Sequence, residues 1–208
     1  MIAFLNYFTK VTGWPIYKIL TGNRVHYEDK TIQTQKIKGP AILVSNHTSV
    51  FDYAIYLFVF FGRTCRFQMA EVLFEKNKLL GFYLRRMGGV RVNRDTTDYS
   101  FMQKSAEILE KGGIVGIFPE GRIPEKGAPR PLPFKSGASF LALQTGVPII
   151  PIFTDGKYFV KENSNIVIGK PIYPDEVDKM DISDKEKLEY LDNLLRDKVI
   201  QLGGMYEH

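Results

Sequence analysis

Along the chain, short apolar runs of strand type alternate with longer stretches whose apolar residues recur at helical spacing. "AILV" (41–44), "CRFQMA" (65–70), "GVRV" (89–92), "IVGIF" (114–118) and "PIIPIF" (148–153) read as strands, with "NIVIG" (165–169) as a further one. Between them, "SVFDYAIYLFVFF", "EVLFEKNKLLGFYLRRM", "TTDYSFMQKSAEILEKG" and "SGASFLALQTG" read as helices. Gly112 and Gly146 stand where helices end, the second with Pro148 just beyond. This alternation predicts an α/β fold, a mainly parallel sheet flanked by helices. Pro151 lacks the N–H that a ladder uses, which places its strand at an edge or on a bulge. The tail "DISDKEKLEYLDNLLRDKVIQL" reads as an amphipathic surface helix. Ser183 and Glu186 form its capping box, and Leu188, Leu191, Leu195 and Val199 fall on one stripe.

The opening "MIAFLNYFTKVTGWPIYKIL" stands apart from this pattern. It carries Phe4, Tyr7, Phe8, Trp14 and Tyr17 with only two charges, Lys10 and Lys18. No basic n-region precedes it and no small-residue cleavage site follows, so it does not read as a signal peptide. Pro15 breaks the run, and a spanning helix needs roughly 20 predominantly apolar residues. Val50 to Phe61 is shorter still and contains Asp52. Aromatic residues with flanking lysines suit a segment lying in a membrane interface, and equally an ordinary N-terminal helix packed on the core. Residues 1–25 are therefore set apart as an aromatic N-terminal segment from a domain over 26–208.

At 208 residues, 44% apolar and 25% charged, the chain suits one globular domain rather than a disordered one. A single cysteine, Cys65, excludes an internal disulfide. A net charge of +5 and a pI near 9.1 suggest anionic partners such as phosphate esters or acidic headgroups. Dense Lys/Arg arms and nucleic-acid motifs are missing, so nucleic acid is not expected.

Few constellations can carry chemistry. His47 ends an apolar run and Asp52 follows five positions later. Ser49-Val50-Phe51-Asp52 also matches a capping box, so on spacing alone the cap is the better account of Asp52. The two roles are compatible, since a first-turn carboxylate can accept the Nδ1–H of a histidine just upstream and leave Nε2 as a base. The other histidines are His26, in a polar stretch, and the terminal His208, which disfavours a multi-histidine metal site. HExxH, CxxC, G-x-S-x-G, G-x-G-x-x-G and Walker A patterns are absent. A His–Asp pair without a nucleophile fits an acceptor hydroxyl attacking an already activated acyl group, such as a thioester.

Two further blocks carry arginines at strand exits. "IVGIFPEGR" ends in Glu120-Gly121-Arg122, and "GGVRVNRD" (88–95) in Arg94. Glycine permits close backbone approach and arginine binds phosphate bidentately, although "PEGR" alone is an ordinary turn. The proline- and base-rich stretch "GRIPEKGAPRPLPFK" (121–135) follows a strand directly, where open α/β sheets bind ligands.

Taken in order, "NHTSVFD", "GGVRVNR", "FPEGR" and "VPIIPIF" resemble the four blocks of the glycerolipid (1-acyl-glycerol-3-phosphate type) acyltransferase family, over roughly residues 40 to 155. "PFKSGA" (133–138) resembles the stretch between the last two blocks. The resemblance implies an O-acyltransferase at the membrane surface. Such an enzyme moves a fatty acyl chain from acyl-CoA or acyl carrier protein to a lysophospholipid, with no cofactor beyond that thioester co-substrate. It implies His47 as general base, Asp52 as its orienting partner, and Arg94, Glu120, Gly121, Arg122 and Lys135 toward the acceptor phosphate. Backbone N–H groups near Gly121, or another loop amide, are expected to hold the oxyanion. An enzyme of this kind would dock residues 1–20 peripherally on the cytoplasmic face of the membrane, with 26–208 as the acyltransferase domain. One departure stands out. Lysophosphatidate-using members commonly read F-P-E-G-T-R, whereas Arg122 here follows Gly121 directly, closer to some members that use lysophosphatidylethanolamine. A catalytically inactive lipid-binding protein and a thioesterase are the other readings of these residues.

Overall fold

The computed structural model describes residues 2–93, 99–125, 127–159 and 164–205. Its elements are α1 (Ile2–Thr21), β1 (Arg24–Tyr27), β2 (Ala41–Ser45), α2 (Asp52–Val59), β3 (Cys65–Ala70), α3 (Val72–Glu75), α4 (Lys78–Met87), β4 (Val90–Val92), α5 (Ser100–Glu110), β5 (Ile114–Ile117), α6 (Gly137–Thr145), β6 (Ile149–Thr154), β7 (Asn165–Ile168), α7 (Asp175–Asp178) and α8 (Asp184–Gly204).

The strands form one seven-stranded sheet in the order β1-β7-β6-β2-β5-β3-β4. β6, β2, β5, β3 and β4 run parallel, β7 is antiparallel to β6, and β1 pairs parallel with β7. The sheet is thus mainly parallel with two reversed strands at one side. Helices cover both faces, so β2 and β5 are buried throughout, which explains their unbroken apolar runs. One core packs Tyr17, Ile55, Tyr56, Phe60, Phe74 and Leu84 of α1–α4 on the sheet. The other packs Met102, Leu109, Leu141, Leu191 and Leu195 of α5, α6 and α8. Gly116 in β5 is required by packing, because a Cβ there would stand 2.3 Å from the Phe67 ring.

Three sequence readings need correction. Pro151 does not mark an edge: β6 lies between β2 and β7. Its carbonyl accepts from Gly169 N at 2.8 Å, so its backbone polar atoms face β7 at the very end of that ladder, and the missing N–H costs β2 nothing. β1 was not anticipated, because a four-residue, half-exposed edge strand has little apolar pattern to read. Pro15 does not break α1, which runs through it for 20 residues.

Lys10 departs further from expectation. It is 1% exposed, and its ammonium donates to the carbonyls of Phe60, Phe61 and Arg63 at 3.0, 3.1 and 2.7 Å. It therefore caps the C-terminal end of α2 from α1 rather than flanking an exposed face. Burial lowers its pKa to about 8. The opposite side of α1 leaves Phe4, Phe8, Val11, Ile16 and Ile19 exposed. Among the described residues, no helix is long and apolar enough to cross a membrane. The Ser183–Glu186 capping box of α8 forms as the sequence predicts.

Candidate active site

The site forms where the parallel strands end. Asn46, just past β2, gives its side-chain N–H to Thr154 O at 2.8 Å and accepts from Thr154 N at 2.9 Å. This buried pair of hydrogen bonds extends the β2–β6 ladder by one side chain and fixes where His47 leaves the sheet. Its ring lies against Phe118, just after β5, with centroids 4.3 Å apart and planes inclined by 14°.

His47 Nδ1 stands 2.7 Å from Asp52 Oδ2. That carboxylate oxygen also accepts from Thr48 N at 2.7 Å and Ser49 N at 3.0 Å, while Oδ1 accepts from Thr48 Oγ1 at 2.9 Å. An ionised carboxylate only accepts, so the network assigns the ring proton to Nδ1 and leaves the Nε2 lone pair free. Asp52 is fully buried, whereas 21% of the His47 side chain remains accessible.

The expected capping box forms only in part. Phe51 holds the N-cap position of α2 without a side-chain cap, and Ser49 Oγ accepts from Phe51 N at 3.2 Å. Asp52 reaches back to Ser49 N as the box requires, and holds His47 with the same oxygen. A second layer lies behind it. Ser45 Oγ meets the Tyr56 hydroxyl at 2.5 Å, and Thr154 Oγ1 meets that of Tyr158 at 2.8 Å. Burial above all pushes both tyrosines above their usual pKa, followed by the nearby Asp52 charge at Tyr56, and by Tyr56 and then Asp52 at Tyr158. Gly156, at φ +69°, lets the loop after β6 close on Thr48, where a Cβ would fall 2.4 Å from Oγ1.

Glu120 is placed as a strut. Its Oε1 accepts from His47 N at 2.7 Å and its Oε2 from Leu132 N at 2.8 Å, tying the dyad to the 121–135 loop. Burial pushes its carboxyl above the usual range, opposed by those two N–H groups. Both oxygens are thus engaged by the protein. Gly121, at φ +71°, turns its N–H to Phe118 O at 3.0 Å, which removes that amide as an oxyanion donor. Arg122 and Lys135 are exposed, and with Glu120, Gly121, Leu132 and Pro133 they line an open cleft of about 350 Å³. Arg94 lies outside the described residues. β4, which leads to it, ends on the same sheet edge as His47. Arg91 of the same block is held by Glu71 and Glu75.

Sequence reasoning missed the outer supports. Arg196 of α8 donates to Pro131 O at 2.9 Å and Leu132 O at 3.3 Å, and Asp192 accepts from Ser136 and Ser139 hydroxyls at 2.6 and 2.5 Å. The tail helix therefore pins the cleft wall. A charged residue beside the apolar stripe of α8 was the one available signal. Among the described residues, no group of three or more His, Cys, Asp or Glu could hold a metal ion.

A family model described as Acyltransferase matches residues 24–155, which contain His47, Asp52 and Glu120–Arg122. The chain is 30% identical over 151 residues to the chloroplastic 1-acyl-sn-glycerol-3-phosphate acyltransferase BAT2 of Brassica napus, covering 67% of this chain and 42% of that protein. It is 29% identical over 176 residues to the 1-acyl-sn-glycerol-3-phosphate acyltransferase of Borreliella burgdorferi, covering 79% of this chain and 66% of that one. The crystal structure of the 1-acyl-sn-glycerophosphate acyltransferase PlsC from Thermotoga maritima shares the fold, with a TM-score of 0.70 at 22% identity over 100% of this chain and 83% of that one. With the family model covering well over half of its residues, the chain belongs to the acyltransferase family.

Proposed function

We propose that this chain is an O-acyltransferase that moves a fatty acyl group from an acyl-CoA or acyl carrier protein thioester to the free hydroxyl of a lysophospholipid. The acceptor we favour is 1-acyl-glycerol-3-phosphate, giving phosphatidate. The observation that carries this reading is the His47–Asp52 contact at 2.7 Å, made through Nδ1 by a histidine whose side chain stays 21% accessible.

In this mechanism the acceptor hydroxyl donates to His47 Nε2 and its oxygen attacks the thioester carbonyl. The proton passes to Nε2, and the imidazolium so formed is stabilised by Asp52. The tetrahedral intermediate then collapses, the carbon–sulfur bond breaks, and the departing thiolate takes the proton back from His47. With the Gly121 N–H turned inward, the oxyanion falls to another loop amide; such a donor is typically worth about 2.7–4 kcal/mol. Arg122 and Lys135, in the cleft that Glu120 links to the dyad, take the acceptor phosphate, and Arg94 is assigned there from its block. The exposed apolar face of α1 docks residues 1–20 on the cytoplasmic leaflet, where the acceptor resides.

The test is a panel of lysophospholipids assayed with acyl-CoA and acyl carrier protein donors, read as released thiol and as diacyl product. Acceptor-dependent release with lysophosphatidate is expected. Preference for lysophosphatidylethanolamine would move the acceptor, acceptor-independent release would make the protein a thioesterase, and no release would make it a lipid-binding protein.

A further inference from the structure

We propose that the α3–α4 helix pair is a second bilayer-contacting element, one that seats anionic lipid headgroups beside the active-site edge of the sheet. The proposal rests on the reading that this chain works at a membrane surface, and names a docking element that residues 1–20 do not include.

The pair is firmly built. Phe74, Gly81, Leu84 and Met87 face inward, and α3 and α4 cross so closely that a Cβ on Gly81 would stand 2.1 Å from Phe74 O. Asn77 caps α4 by accepting from Leu79 N and Leu80 N at 2.9 and 3.1 Å, and Gly88 closes it in a left-handed conformation. Its outward side chains are therefore held in place. They are apolar: Leu79 is 77% exposed, Val72 61% and Phe82 53%, with Leu73 and Leu80 beside them. Scattered single exposed apolar residues are ordinary; a group on two packed helices needs a partner.

Charge indicates which partner. The same helices and the turn between them carry Lys76, Lys78, Arg85 and Arg86; the Arg86 guanidinium lies 4.8 Å from the Phe82 ring and that of Arg85 5.8 Å from the Phe74 ring. The acids of the segment, Glu71 and Glu75, are both engaged by Arg91. An apolar face with cations on the same helices is the pattern of a helix seated at the headgroup level of an anionic leaflet.

Position gives the same answer. α3 starts directly after β3, at the sheet edge from which His47 projects. α4 also adjoins α1, where Tyr83 Oη donates to Thr9 Oγ1 at 3.4 Å and Thr9 Oγ1 faces Met87 Sδ at 3.6 Å. α1 and α4 thus pack directly on one another. A bilayer under both would bring the sheet edge carrying His47 toward the source of a lipid acceptor.

The test is sedimentation of the full chain with phosphatidylcholine vesicles, with and without phosphatidylglycerol. Leu79→Asp/Phe82→Asp should weaken association by about tenfold or more, as loss of two inserted apolar side chains implies. It should leave unfolding temperature and turnover of a monomeric short-chain lysophosphatidate unchanged. Lys78→Gln/Arg85→Gln should weaken binding only to the anionic vesicles. If Leu79→Asp/Phe82→Asp sediments like the wild type while Phe8→Asp/Ile19→Asp is released, α1 docks alone and the proposal is overturned. Equal loss of turnover on the monomeric acceptor would also overturn it. Failure of the wild-type chain to associate with either vesicle would instead remove the membrane reading itself.

Discussion

Asp52 Oδ2 lies 2.7 Å from His47 Nδ1 and accepts two backbone N–H groups of the intervening turn as well. One buried oxygen thereby shapes the start of α2 and fixes the orientation of the imidazole.

That double duty makes Asp52→Asn informative. With its amide oxygen in the Oδ2 position, Asn keeps the contacts to His47 Nδ1 and to the two backbone N–H groups, and its amide N–H meets the Thr48 hydroxyl, so the turn is spared while the charge that stabilises the imidazolium is lost. Removing such a base or its partner typically lowers turnover by about 10²–10⁴-fold. His47→Ala should show a loss of that order with the unfolding temperature nearly unchanged. Wild-type turnover in either variant would disprove the dyad. A loss of stability alone in Asp52→Asn would reduce Asp52 to a cap.

Glu120 predicts a different phenotype. Glu120→Gln keeps one acceptor and sets an amide N–H against a buried backbone N–H, at His47 or at Leu132. An unsatisfied buried donor costs about 1–3 kcal/mol, so denaturant melts should show destabilisation of that order alongside slower turnover. A change confined to acceptor KM would instead make Glu120 a substrate contact.

Arg122 and Lys135 are exposed cleft residues, so replacing them should spare the fold. Arg122→Ala and Lys135→Ala should each raise acceptor KM by about tenfold, the scale of one charge-assisted hydrogen bond, with kcat little changed. Arg94→Ala should behave alike. Steady-state kinetics with varied lysophosphatidate decides, and an unchanged KM removes that residue from the phosphate site.

Lys10 gives a pH signature. Its folded pKa is lowered to about 8 from a usual value of 10.5, so between these values the unfolded chain binds more protons than the folded one. Stability from this group therefore rises with pH across that window and is flat below it. Chemical denaturation of wild type and Lys10→Met, compared through the window, should show the difference moving in favour of the wild type as pH rises. A pH-independent difference would show that the buried ammonium keeps its ordinary pKa.

Much of this molecule is local, and local features were legible. The buried strands are continuous apolar runs because helices cover both sheet faces, and the α8 cap is set by residues three apart. His47 and Asp52 sit five residues apart, so their pairing could be posed from spacing, although spacing alone favoured the cap. Arg122 and Lys135 could be proposed together because one loop carries both.

What the sequence determined by itself, then, was the strand–helix alternation, the four blocks and the candidate pair, since each depends on side chains within a few positions of one another. Tertiary structure decided the rest, because burial and hydrogen-bond partners are set by contacts distant along the chain. Asn46 meets Thr154 across 108 positions, Glu120 reaches back 73 to His47, and Lys10 finds its carbonyls 50 or more residues away. Such contacts made Lys10 a buried cap, Glu120 a strut, Pro151 an interior residue and α8 the support of the cleft. Residue type and spacing alone could not have shown this, because each of these side chains takes its role from the neighbour that folding brings to it.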